Sequence, residues 1–107
     1  MKIKAAVVRK PGEEFAFEEL ELQDPKETEV LVKIAACGVC HTDAVARDQL
    51  IPVPLPAVLG HEGSGVVEKV GSAVRDVKPG DHVVLTAYSC GRCEPCVTGH
   101  PSQCIHG

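Results

Sequence analysis

Val30-Leu31-Val32-Lys33-Ile34-Ala35-Ala36-Cys37-Gly38-Val39-Cys40-His41-Thr42-Asp43 carries the information that separates one fold class from another. Val30, Val32, Ile34 and Ala36 fall on one side of a period-2 alternation, the mark of a strand with one buried face. The strand runs straight into two cysteines and a histidine. Thr42–Leu50 then reads as a short helix, with Thr42 suited to the N-cap and Asp43 favoured in the first turn. Pro52, Pro54 and Pro56 stop any helix and give an extended connection. Upstream, Lys4–Val8 is a first strand closed by the turn Arg9-Lys10-Pro11-Gly12, and Phe15–Leu22 is a second. Phe15 and Phe17 share one face there while Leu20 and Leu22 share the other, which predicts a bulge near Glu18-Glu19. Downstream, Gly63–Val70 and His82–Ala87 are strands, with turns at Gly71-Ser72 and Pro79-Gly80-Asp81. Strands joined by tight turns, without strand–helix alternation, predict a mainly β fold with short helices, an irregular β-barrel or sandwich.

Composition agrees. A chain of 107 residues has room for one domain. Sixteen Val against seven Leu, with three aromatic residues and no Trp, suit a β-rich core of small branched side chains. Eleven basic and fifteen acidic residues leave a net charge of −4, so there is no electrostatic footprint for nucleic acid. No run approaches the ~20 apolar residues of a membrane span, and the apolar stretch before Arg9 is too short for a signal peptide. A cytoplasmic protein is the expectation. Glu13–Glu29 holds eight acids and one lysine, and reads as a solvated strand and loop without an assigned partner. Six cysteines in such a chain point to metal or redox work rather than a disulfide scaffold.

Four of them lie in the tail. Cys90, Cys93, Cys96 and Cys104 follow the spacing C-x2-C-x2-C-x7-C. From Cys90 to the end apolar periodicity disappears, so something other than a hydrophobic core must order this lobe, about residues 88–107. Four thiolates around one tetrahedral zinc would do so, with the binding energy becoming folding energy. Disulfides and an iron–sulfur cluster are the competing readings. The bacterial cluster motif, however, places its fourth cysteine three residues after the third and before a proline, whereas Ile105 follows Cys104 here. A closed four-cysteine site is structural and offers no open position for chemistry.

The other two cysteines, Cys37 and Cys40, form a C-x-x-C at a strand end and helix start, a pattern shared with dithiol redox proteins; that reading needs a βαβ context. Gly60-His61-Glu62-Gly63 alone is compatible with a merely structural His–Glu pair. Taken together, the motifs say more. Gly60-His61-Glu62-x-x-Gly65-x5-Gly71-x-x-Val74, with Cys40-His41-Thr42-Asp43 upstream and Val77-Lys78-Pro79-Gly80-Asp81-His82-Val83 and the four cysteines downstream, resembles the zinc-dependent medium-chain alcohol dehydrogenases.

The resemblance covers essentially the whole chain and implies the family's amino-terminal GroES-like catalytic domain, residues 1–107, with the zinc lobe at its end. It implies Cys40 and His61 as ligands of a catalytic zinc, with Glu62 beside the metal and able to coordinate it transiently. Asp43 would orient His61, Thr42 would accept the alcohol proton, and His41 would sit near the cofactor pyrophosphate. Cys90, Cys93, Cys96 and Cys104 match the structural zinc site. Cys37 has no role in the family pattern and is expected to be a small buried residue. The implied reaction is hydride transfer between an alcohol or aldehyde and NAD or NADP. The run His41–Gln49 looks most like the branch acting on aryl, benzyl-type primary alcohols.

Two departures qualify the likeness. Val45 stands where many members carry the histidine that ends the proton relay. The family's third catalytic-zinc ligand and its Rossmann domain follow the portion matched here, and Gly63-Ser64-Gly65 has Glu68 where a G-x-G-x-x-G needs glycine. A fragment that binds zinc but turns over little alcohol alone is therefore expected, with homo-oligomerisation open. The competing expectations are a stand-alone zinc-binding GroES-like module without catalysis and a dithiol redox protein using Cys37 and Cys40.

Overall fold

The valine-rich runs and the turns between them build six strands and two short helices. The computed structural model describes residues 1–107. The order is β1 (Lys2–Val8), β2 (Ala16–Glu21), β3 (Val30–Cys37), α1 (His41–Arg47), β4 (Ala57–Val58), β5 (Gly63–Val70), β6 (His82–Val84) and α2 (Glu94–Val97). A single 3-10 turn, Pro101–Gln103, follows α2. The strands form two antiparallel three-stranded sheets, β2–β1–β4 and β3–β5–β6. No helix crosses between parallel strands, so the βαβ context that a dithiol redox motif requires is missing.

Register carries two corrections. The bulge expected at Glu18-Glu19 does not form, because β1 and β2 pair without a break from Lys2↔Glu21 to Val7↔Ala16. Phe17 is simply left 79% exposed on the outer face, so the phase change in the pattern needs no backbone adjustment. The irregularities lie instead in the β3–β5 pair. Leu31 faces Lys69 and Val32 faces Val67, leaving Glu68 extra on β5; Ile34 faces Gly65 and Ala36 faces Ser64, leaving Ala35 extra on β3. Each extra residue turns the strand that carries it, so the alternation of Val30, Val32, Ile34 and Ala36 does not survive as one continuous buried face. Ile34 is half exposed.

Other boundaries shift for local reasons. The helix starts at His41 and its N-cap is Cys40 rather than Thr42. The Asp43 carboxylate accepts the Cys40 backbone N–H at 3.3 Å, so the acid three residues on, rather than a hydroxyl, secures the first turn. The helix closes before Leu50, since Gln49 takes a positive φ of 60°. Strand β6 ends at Val84, short of Ala87. The proline stretch leads into β4, two residues that pair with Val7 and Val8. The tail, without apolar periodicity, still contains the short α2 and the 3-10 turn.

The hydrophobic core is small. Val7, Val8, Ala46 and Val67 are buried, with Val8 and Val67 sealed completely. At about 1.5–3 kcal/mol for each fully buried aliphatic side chain, this centre holds the β1, α1 and β5 region together but does not reach the tail. Gly65 is buried where β3 and β5 meet, and a Cβ there would lie 2.1 Å from the Lys33 carbonyl oxygen. The strands approach closely only because position 65 has no side chain. The loops leading to the candidate site issue from the same end of this pair: β3 ends at Cys37 and β5 begins at Gly63.

Candidate metal centres

The tail is organised around sulfur. Cys90, Cys93, Cys96 and Cys104 bring their Sγ atoms within 4.8 Å of one another. Cys90 lies 3.9 Å from Cys96 and Cys93 lies 3.9 Å from Cys104. A tetrahedron with metal–sulfur bonds of about 2.3 Å has edges of about 3.8 Å, so this donor set fits one zinc ion. The backbone supports it. The N–H groups of Arg92 and Cys93 donate to Cys90 Sγ at 3.4 and 3.3 Å, and those of Cys90 and His106 donate to Cys104 Sγ at 3.3 and 3.4 Å. Gly91, at a φ of 75°, makes the tight turn that aims the first two of these amides.

The thiols respond accordingly. The Arg92 amide, against partial desolvation and helped by that of Cys93, pulls Cys90 down to about 6. The Cys96 and Ile105 amides lower Cys93. Desolvation dominates at Cys96 and pushes it up to about 11. A divalent ion bound there would hold all four as thiolates. The amides that tune the sulfurs leave no mark in the C-x-x-C spacing itself; only Gly91 hints at them.

The second cluster forms where β3 and β5 hand over to their loops. Cys40 Sγ, a ring nitrogen of His61 and a carboxylate oxygen of Glu62 lie within 4.8 Å of one another. Asp43 Oδ1 is 3.5 Å from His61 Nδ1, and Glu62 Oε1 is 4.0 Å from His61 Nε2. The carboxylate of Asp43 therefore faces one ring nitrogen and leaves the other directed towards Glu62. Cys40 Sγ donates to Thr42 Oγ1 at 3.3 Å, which puts the hydroxyl beside the sulfur. His41, the first residue of α1, is exposed. Between the two loops, the Gly38 N–H donates to the Glu62 carbonyl at 3.0 Å. A thiolate, an imidazole and a carboxylate around one point suit a divalent metal, zinc above all, with three donors in place.

The structure thus gathers Cys40, Thr42, Asp43, His61 and Glu62 in one place and the four tail cysteines in another. Cys37 requires a correction, being exposed rather than buried. It ends β3, and its Sγ donates to the Gly38 carbonyl at 3.5 Å.

Known proteins resemble the chain over most of its length. The family described as "Alcohol dehydrogenase GroES-like domain" matches residues 26–107. A geraniol dehydrogenase of Castellaniella defragrans is 58% identical over 102 residues, 95% of this chain and 27% of its own length. The crystal structure of an alcohol dehydrogenase zinc-binding domain protein from Burkholderia ambifaria superposes with a TM-score of 0.96 at 51% identity, over 99% of this chain and 29% of that one. Benzyl alcohol dehydrogenase from Acinetobacter calcoaceticus gives a TM-score of 0.95 at 50% identity, with the same coverage. The chain therefore spans under a third of the length of these relatives. No helix of the chain is long and apolar enough to cross a membrane. With the match running over residues 26–107 and half or more of the positions shared with these relatives, the chain belongs to the alcohol dehydrogenase GroES-like domain family.

Proposed function

We propose that residues 1–107 form the metal-binding amino-terminal part of the catalytic domain of an NAD(P)-dependent alcohol dehydrogenase, oxidising primary alcohols, aromatic ones among them, to aldehydes. The convergence of Cys40 Sγ, His61 and Glu62 within 4.8 Å, beside the Thr42 hydroxyl, carries the reading. A purely structural module has no use for a second, three-donor cluster apart from the four cysteines. The likeness to geraniol and benzyl alcohol dehydrogenases supports the substrate class.

A zinc ion bound by Cys40 and His61 would supply Lewis-acid polarisation of an alcohol oxygen. The chain's own residues do the rest. Asp43 faces His61 Nδ1 and selects the tautomer with that nitrogen protonated, leaving Nε2 as the donor. The same carboxylate holds the Cys40 amide, so one residue orients both protein ligands. Thr42 Oγ1, 3.3 Å from Cys40 Sγ, is placed to accept the proton an alcohol gives up. With Val45 one turn further along α1, that proton passes from Thr42 to solvent rather than to an imidazole. Exposed His41 is available to a cofactor phosphate. The Cys90–Cys104 cluster, fully occupied by four thiolates, shapes the lobe and takes no part in the reaction.

Residues 1–107 contain no glycine-rich turn suited to a pyrophosphate. By themselves they should bind zinc at both centres without turning over alcohol, whereas the protein carrying a dinucleotide-binding domain should oxidise benzyl alcohol or geraniol with NAD⁺ or NADP⁺. Turnover by residues 1–107 alone, or full activity of the longer protein after Cys40→Ser, overturns the proposal.

A further inference from the structure

Gly38 lies in the loop between β3 and α1, and its place in that loop has no backbone explanation. Its φ is not positive, so the left-handed conformation that favours glycine is not what calls for it here. A Cβ at position 38 would, however, lie 2.1 Å from Glu62 Oε2, 3.1 Å from Glu62 Cβ and 3.2 Å from Glu62 Cδ. All three of these nearest atoms belong to the Glu62 side chain. The carboxylate of Glu62 thus rests on the bare Cα of Gly38, while the Gly38 N–H anchors the Glu62 carbonyl at 3.0 Å. In that position Glu62 Oε1 is 4.0 Å from His61 Nε2, and a carboxylate oxygen of Glu62 lies within 4.8 Å of Cys40 Sγ.

We infer that Gly38 is a positioning residue for the second metal centre: the space left by its missing side chain is the seat that holds the Glu62 carboxylate against Cys40 and His61. This rests on the reading of that cluster as a metal centre. A methyl group at 38 overlaps the carboxylate at the far end of Glu62 and only crowds its Cβ, so the carboxylate swings away while Cβ gives by a few tenths of an ångström. The cost falls on the third donor rather than on stability.

The test uses the full chain with zinc first bound at the four cysteines, followed by titration of Co²⁺ into the second centre, read by thiolate-to-cobalt absorption. Gly38→Ala and Glu62→Ala should each weaken Co²⁺ binding by roughly ten- to hundredfold. In the Glu62→Ala background, Gly38→Ala should add less than about twofold, since its target is gone. The urea midpoint and the zinc content of the four-cysteine cluster should be unchanged in Gly38→Ala. Failure of wild type to take up Co²⁺ overturns the metal-centre reading and this inference with it. Wild-type binding with Gly38→Ala unaffected, or a Gly38→Ala penalty that persists without Glu62, overturns the inference alone. Loss of fold in Gly38→Ala also overturns it, because the backbone would then be what needs the glycine.

Discussion

Replacing Gly65 with alanine tests how the sheet positions the site. The added Cβ would stand 2.1 Å from the Lys33 carbonyl oxygen, 2.8 Å from its carbon and 3.0 Å from Ile34 Cα. Carbon contacts settle near 3.5 Å or beyond, so β3 and β5 must part by roughly 1 Å. The obstruction is backbone, and no rotamer change relieves it. Overpacking of this kind costs about 1–3 kcal/mol, and one weakened ladder hydrogen bond adds about 0.5–1.5 kcal/mol. A loss of about 1.5–4.5 kcal/mol is expected. With a urea slope of about 2 kcal/mol/M, the midpoint should fall by about 1–2 M. Ser64→Ala, on the same strand and losing only a 3.4 Å hydrogen bond to the Ala36 carbonyl, is the control and should move it by less than about 0.5 M. Because β3 leads to Cys40 and β5 follows His61 and Glu62, Gly65→Ala should also loosen metal at the second centre. A Gly65→Ala midpoint within error of Ser64→Ala would refute the close-approach argument.

Three further outcomes follow from the geometry. Chelation, or Cys96→Ser, should unfold residues 88–107 while β1, β2, β3 and β5 persist, as read by amide hydrogen exchange, since Cys93 alone is buried in the tail. Acid should weaken the fold at two surface sites: the Arg9 guanidinium lowers Glu18, and the Lys78 backbone N–H lowers Asp81. Their contributions are complete above the unfolded values, 4.5 for Glu18 and 3.8 for Asp81, and are lost as pH falls through the lower folded values, so Glu18→Gln with Asp81→Asn should flatten the urea midpoint against pH below about 4.5. In the longer protein, Thr42→Ala should lower kcat by about 10²- to 10⁴-fold with zinc content unchanged; a loss of zinc instead would assign the hydroxyl to metal binding.

Much of the architecture is legible along the chain because its signals are local. Gly63–Val70 reads as a strand from its valines, and the four tail cysteines announce their cluster by spacing. What escapes is set by tertiary contact. Ala35 and Glu68 become bulge residues only through their partner strands, and Phe17 stays exposed because nothing covers β2. Ala57–Val58 forms a strand only because β1 offers an edge. Cys40 caps α1 because Asp43 is available to hold its amide, a pairing that residue preferences favouring Thr42 do not anticipate. The pairing of Gly38 with Glu62 joins residues 24 positions apart across two loops, and no spacing rule connects them.

Metal stoichiometry is the most direct trial of the two-centre account. Zinc bound per chain, measured by elemental analysis after dialysis and then after brief chelation, should be two falling to one, with Cys40→Ser holding one throughout. A wild-type value of one that chelation and Cys40→Ser both leave unchanged would contradict the account and leave a domain held by the four cysteines alone.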